Sequence, residues 1–116
     1  MKKAMISQPM RNKTEEEITT TRKRAIERLV NLGYEVVDTY FSDEWLNKQD
    51  EKEIANLSLY FLAKSLKKMA KCDAVYFCRD WEQARGCRLE EQAALEYGLE
   101  TIYEWYNNIL GKYYGQ

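Results

Sequence analysis

At 116 residues, with 45% hydrophobic and 32% charged residues, one proline and five glycines, the chain has the size and composition of one globular domain spanning residues 1–116. A formal net charge of −1 gives no general pull toward nucleic acid or anionic lipid, and no apolar run approaches the ~20 residues of a membrane helix, so neither nucleic acid nor membrane is an expected partner. Histidine is absent, which removes the commonest general base. Cys72, Cys78 and Cys87 lack C-x-x-C spacing, so no metal site and no cofactor are expected, and the three read as buried, reduced thiols of a cytoplasmic protein.

Lys3–Ser7 reads as a buried first strand, stopped by Pro9, which cannot donate to a central ladder. Thr14-Glu15-Glu16-Glu17 fits a capping box, with Thr14 as N-cap and Glu17 reaching back. Ile18, Ala25, Ile26 and Leu29 then recur at helical spacing, and Gly33 stands where a helix-terminating glycine belongs. Tyr34–Thr39 is β-rich and predicts the second strand. Residues 40–56 are polar apart from Trp45 and Leu46 and read as a long loop, of a length that often serves function in compact domains.

From Ile54 to Lys71 the helical period returns, with Leu59, Leu62, Ala63, Leu66, Met69 and Ala70 on one stripe. Asp73–Cys78 is a near-continuous apolar run, as expected of a parallel strand covered on both faces. Residues 79–86 read as a loop, Cys87–Tyr97 as a helix closed by Gly98, and Leu99–Tyr103 as a fourth strand. The tail from Glu104, with Trp105, Tyr106, Tyr113 and Tyr114, reads as a short helix followed by an aromatic end.

Alternation of strands and helices predicts an α/β fold: a flavodoxin-like or Rossmann-like three-layer sandwich around a central parallel sheet of four or five strands. Ligands of such sheets bind at the carboxyl ends of the strands, where strand order reverses. The loops Gln8–Lys13 and Arg79–Gly86 are expected to meet there. The chain has no Walker A loop, no G-x-G-x-x-G and no G-x-S-x-G, which removes support for kinase, dinucleotide and serine-hydrolase readings.

The chemistry that remains lies between Trp81 and Ala94. Gly86 permits a close backbone approach, and a helix starting just after it aims free N–H groups at the cleft. Glu90 then falls in the first turn, where the helix dipole keeps a carboxylate ionised, as a nucleophile must be. On spacing alone, Glu90 and Glu91 are also what an ordinary helix start carries. Arg11, Asn12 and Lys13 before the first helix, and Arg85 and Arg88 before Glu90, are candidate phosphate ligands, and Trp81 is a candidate for stacking on a base.

The segment Ala70–Tyr103, with CDAVYF, W-x-x-x-x-G-x-x-x-E-x-x-x-A and YGL, together with MISQPM near the start, resembles the nucleoside 2-deoxyribosyltransferase-like family. It looks most like a short branch with a tryptophan ahead of the glycine. The resemblance implies an enzyme that hydrolyses or transfers N-glycosidic bonds of nucleosides or nucleotides, with Glu90 as nucleophile on the sugar and Asp73 assisting the departing base. It implies a ligand-binding set of Ser7, Gln8, Pro9, Met10, Arg11, Trp81, Arg85 and Gly86, a small-molecule nucleoside or nucleotide as partner, and a homodimer or higher homo-oligomer. Met5, Gln8 and Ala84 stand where catalytic relatives carry tyrosine, glycine and aspartate or serine, which leaves a non-catalytic nucleotide-binding module as the alternative.

Overall fold

A computed structural model describes residues 1–37, 53–107 and 112–115. Strand β1 (Lys3–Ser7) leads to α1 (Glu15–Asn31) and β2 (Glu35–Val37), followed by α2 (Leu57–Met69) and β3 (Ala74–Phe77). A single 3-10 turn (Trp81–Gln83) precedes α3 (Arg85–Glu96), and β4 (Glu100–Asn107) and β5 (Lys112–Gly115) complete the order. The sheet runs β2-β1-β3-β4-β5. Its first four strands are parallel, as in the expected three-layer flavodoxin-like or Rossmann-like fold. The fifth pairs antiparallel with β4. The tail is therefore a β-hairpin, not the expected short helix, because β4 continues past Tyr103 and presents an edge that the returning chain fills.

The two faces follow from the period-2 alternation of the strands. Ala4, Ile6, Ala74, Tyr76, Cys78 and Ile102 pack against Ala25 and Leu29 of α1. Met5, Val75 and Phe77 point the other way, against Met69 of α2 and Ala94 of α3. Full burial of side chains of this size contributes about 1.5–3 kcal/mol each. Helix α1 begins with the expected capping box: the Glu17 N–H donates to Thr14 Oγ1, and the Thr14 N–H donates to Glu17 Oε1, both at 3.1 Å. Gly33 and Gly98 sit at φ +90° and +73°, beyond the ends of α1 and α3, in a region that favours glycine.

Two helix starts differ from expectation. Helix α2 starts at Leu57, because the Asn56 side chain caps it by accepting the Leu59 N–H at 2.9 Å. Of its expected apolar stripe only Met69 is fully buried; Leu59, which lines a cleft, and Leu66 are exposed. Helix α3 starts two residues early: the 3-10 turn ends at an extended Ala84, whose carbonyl accepts the first helical bond from the Arg88 N–H at 3.0 Å. The loop expected over 40–56, with Trp45 and Leu46, lies outside the described residues up to residue 52. Among the described residues, no helix is long and apolar enough to cross a membrane.

Candidate functional site

Strands β1 and β3 are neighbours at the centre of the sheet, yet the chain leaves β1 toward β2 and returns on the other side to form β3. The connections after β1 and β3 therefore diverge, and a crevice opens between them at the carboxyl ends. It is a cleft of about 850 Å³, walled by Gln8–Lys13, by Asn56, Ser58, Leu59 and Leu62 of α2, and by Gln83–Glu90 at the start of α3. Its volume suits a ligand of nucleotide size.

Glu90 forms part of the floor. The buried residues of α3 are Cys87, Glu90 and Ala94, at helical spacing, so a glutamate occupies a position where the pattern calls for an apolar side chain. It is 7% exposed. The Ser7 hydroxyl, at the carboxyl end of β1, donates to Glu90 Oε1 at 3.0 Å. The Ser65 hydroxyl of α2 bonds the same carboxylate. Burial pushes the Glu90 pKa up to about 7, against the smaller opposing effect of the two hydroxyls. With α3 starting at Arg85, Glu90 lies in the second turn, so the helix terminus does not hold it ionised as the sequence suggests; desolvation wins. Cys87 hydrogen-bonds Ser7, and burial pushes its thiol up to about 12. That thiol stays protonated and unreactive.

The expected site residues divide into those gathered here and those placed elsewhere. Gln8, Pro9, Met10, Arg11, Arg85 and Gly86 line the cleft, and Ser7 lies just beneath it on Glu90. Gly86 is the second residue of α3 and not a loop residue; a Cβ there would meet nothing within 4 Å, so the backbone is open to the cleft. Ala84, the N-cap of α3, has no side chain that caps the opening amides.

Trp81 is not in the cleft wall. Its ring packs against Phe77 and Tyr103, themselves stacked on each other, at centroid distances of 5.3 and 5.6 Å, and closes the core on the α3 face. Asp73 lies elsewhere as well. It precedes β3 at the amino end of the sheet, where its Oδ2 accepts the Lys3 N–H at 2.8 Å and its own N–H donates to the Lys3 carbonyl at 2.7 Å. Glu90 meets the sheet at the opposite end, so a strand's length, about 15 Å at ~3.3 Å per residue, lies between them. Asp73 ties β3 to β1 and does not face the Glu90 carboxylate.

Sequence reasoning missed two groups. Ser65 was signalled by its place between Leu62 and Met69 on the stripe of α2, a polar residue where apolar ones are expected. Glu104 had no local signal. It is 3% exposed on the α1 face of β4, where it accepts from Arg24 Nε at 2.6 Å and Nη2 at 3.0 Å, from the Tyr76 hydroxyl at 3.2 Å and from the Arg79 N–H at 3.2 Å. Burial alone would raise its pKa, but the Arg24 guanidinium and the Arg79 amide outweigh burial and hold it below the usual carboxylate range. A smaller cavity of about 360 Å³ lies on that face and shares Gln8, Pro9, Lys13 and Asp80 with the main cleft.

Fold and site together define a small doubly wound α/β protein whose switch-point cleft has a buried, hydroxyl-bound glutamate in its floor. The chain belongs to the DUF4406 family, described as a domain of unknown function, whose match spans residues 2–103 and so includes Ser7 and Glu90. No curated protein matches the chain.

Proposed function

We propose that this protein cleaves or transfers the N-glycosidic bond of a nucleoside or nucleotide, with Glu90 as the carboxylate nucleophile. The observation that carries this reading is the buried Glu90 carboxylate in the floor of a nucleotide-sized cleft, bound by the hydroxyls of Ser7 and Ser65. The resemblance of the Trp81–Ala94 segment to nucleoside 2-deoxyribosyltransferase-like proteins points the same way. Placing an uncompensated carboxylate in a helix's core stripe costs stability, and such costs concentrate at functional sites.

In the proposed reaction, a Glu90 oxygen bonds to the anomeric carbon as the C–N bond breaks. The base leaves with the electron pair and takes a proton from solvent. Water, or the hydroxyl or ring nitrogen of an acceptor, then attacks the anomeric carbon, loses its proton and frees Glu90. The carboxylate stabilises the oxocarbenium-like states on both sides of the intermediate. The attacking form is ionised, so turnover rises with pH and levels off above about 7.

A panel of deoxynucleosides and their 5′-monophosphates, assayed for free base by chromatography, tests the reading. Wild type should release base from at least one, and Glu90→Gln should be slower by at least about a hundredfold. Release by neither protein, or a rate that falls as pH rises through 7, rejects it for those substrates. The distance between Asp73 and the cleft favours one alternative, a binding module that holds a nucleotide unchanged, because Asp73, the acid expected to assist the departing base, lies at the other end of the sheet. Stoichiometric binding with chemically intact recovery of the ligand would select that alternative. The proposal includes a cytoplasmic setting, in keeping with the three free thiols, and a homodimer or higher homo-oligomer, which light scattering on a sizing column measures.

A further inference from the structure

The side chains around the cleft are not balanced in charge. Arg11, Lys13, Arg85 and Arg88 line it, against two acids, Asp80 and Glu90. Lys13 is paired with Asp80 at 3.3 Å, and Arg88 donates to the Glu82 carbonyl at 2.8 Å. The Arg11 and Arg85 side chains are exposed and make no hydrogen bond or ion pair with any described residue. They come from different elements, the β1–α1 connection and the first residue of α3, yet border one cavity. The chain as a whole carries a formal charge of −1, so this is a local concentration of positive charge and not a general property of the surface.

We infer that the cleft selects a substrate bearing a phosphate monoester, held at the cleft mouth by the Arg11 and Arg85 guanidinium groups. A guanidinium presents a planar fork of donors that matches phosphate oxygens, and two such groups bordering one cavity can share one dianion. Arg85 and Glu90 are five residues apart on α3, about 7–8 Å along the helix axis. Arg85, at the exposed start of the helix, and Glu90, in the buried floor, stand at different depths of one cavity, as the phosphate and the reacting carbon of one substrate would require. The arginines also offset the repulsion that an ionised Glu90 would exert on an anionic substrate. This selection rests on the reading of the cleft as a nucleotide site. It narrows that reading from nucleoside or nucleotide to the 5′-phosphorylated form.

Calorimetric titration of the Glu90→Gln protein, whose slowed turnover leaves the ligand intact during the measurement, separates the two ideas. The probes are the four common deoxynucleosides, their 5′-monophosphates, and deoxyribose with and without a 5-phosphate. At least one monophosphate should bind about tenfold or more tighter than its nucleoside, and the margin should shrink as salt is raised. In the additional double variant Arg11→Ala/Arg85→Ala the margin should vanish while nucleoside binding stays as it was. Tighter binding of deoxyribose 5-phosphate than of deoxyribose would also support phosphate recognition apart from the base. Equal or weaker binding of every monophosphate, a margin that survives the double variant, or no binding by any probe would overturn the selection. Tight monophosphate binding with no base released by wild type would leave the phosphate selection standing and reject Glu90 as the reacting group.

Discussion

Glu90 and Glu104 are both almost fully buried, on opposite faces of the same sheet and near the same end of it. Glu104 has a guanidinium in bidentate contact, a backbone amide and a tyrosine hydroxyl, and its pKa falls. Among the described residues Glu90 has serine hydroxyls alone, and its pKa climbs to about 7. Both are nearly excluded from water, and their partners differ. A buried carboxylate matched by a cation is a structural tie, held ionised and unavailable. One matched only by neutral donors keeps its proton affinity and can exchange it, which is the condition for chemistry.

The comparison is sharpest where one of the two is altered. Glu104→Gln leaves Arg24 without its carboxylate and should destabilise the fold by about 3 kcal/mol, the lower end for breaking a buried pair because Arg24 keeps some contact with water. Urea unfolding measures it. The folded pKa of Glu104 lies below its unfolded value, so the loss should be complete above about pH 4.5 and should shrink as pH falls through the lower folded value. A loss that is constant down to strong acid would show that packing, not charge, sets the cost.

Glu90→Gln should do the opposite. The folded pKa of Glu90, about 7, lies above the unfolded 4.5, so wild type bears no charge penalty below 4.5 and the full penalty above 7. The variant should therefore match wild type in acid and exceed it by roughly 2 kcal/mol at pH 8, after allowing for burial of the amide itself. Greater stability with lost turnover is the trade expected of a strained functional residue. A variant less stable than wild type at pH 8 would place Glu90 with Glu104 as a structural group.

Ser7→Ala removes a hydroxyl that favours the ionised form of Glu90. Its effect should be smaller: a rise of up to about one pH unit in the Glu90 titration midpoint, followed by carboxyl NMR, with an equal shift of any pH–rate profile. The least effect belongs to Asp73→Asn at the far end of the sheet. It should cost under about 1 kcal/mol, since Asp73 is exposed, and leave turnover within a factor of about two. A large loss of turnover in Asp73→Asn would contradict the separation of the two residues.

Much of this was legible along the chain. Capping chemistry at Thr14, the helix-ending glycines at 33 and 98, and the apolar runs at 3–7 and 74–78 each act over a few neighbours, so local pattern predicts them. The parallel sheet followed from alternation, and its switch point from the topology that alternation favours. Glu90 was also visible, as a carboxylate shortly after a glycine, although its turn of the helix and the state of its proton were not.

What the sequence determined by itself was the order of strands and helices from β1 through Tyr103 and, through their periods of 2 and 3.6 residues, the buried faces of the central strands, α1 and α3; the tail hairpin and the exposed stripe of α2 were not among them. Which end of one element meets which end of another was decided by tertiary structure alone. Strand pairing in register sent Asp73 to the amino edge and Ser7 to the carboxyl edge, brought Ser65 of α2 onto Glu90, drew Trp81 into the aromatic core, and set Arg24 on Glu104 across 80 residues. Those contacts depend on long-range pairing, and the shift of the Glu90 pKa depends in turn on the water that packing excludes, neither of which is written in any local run of residues.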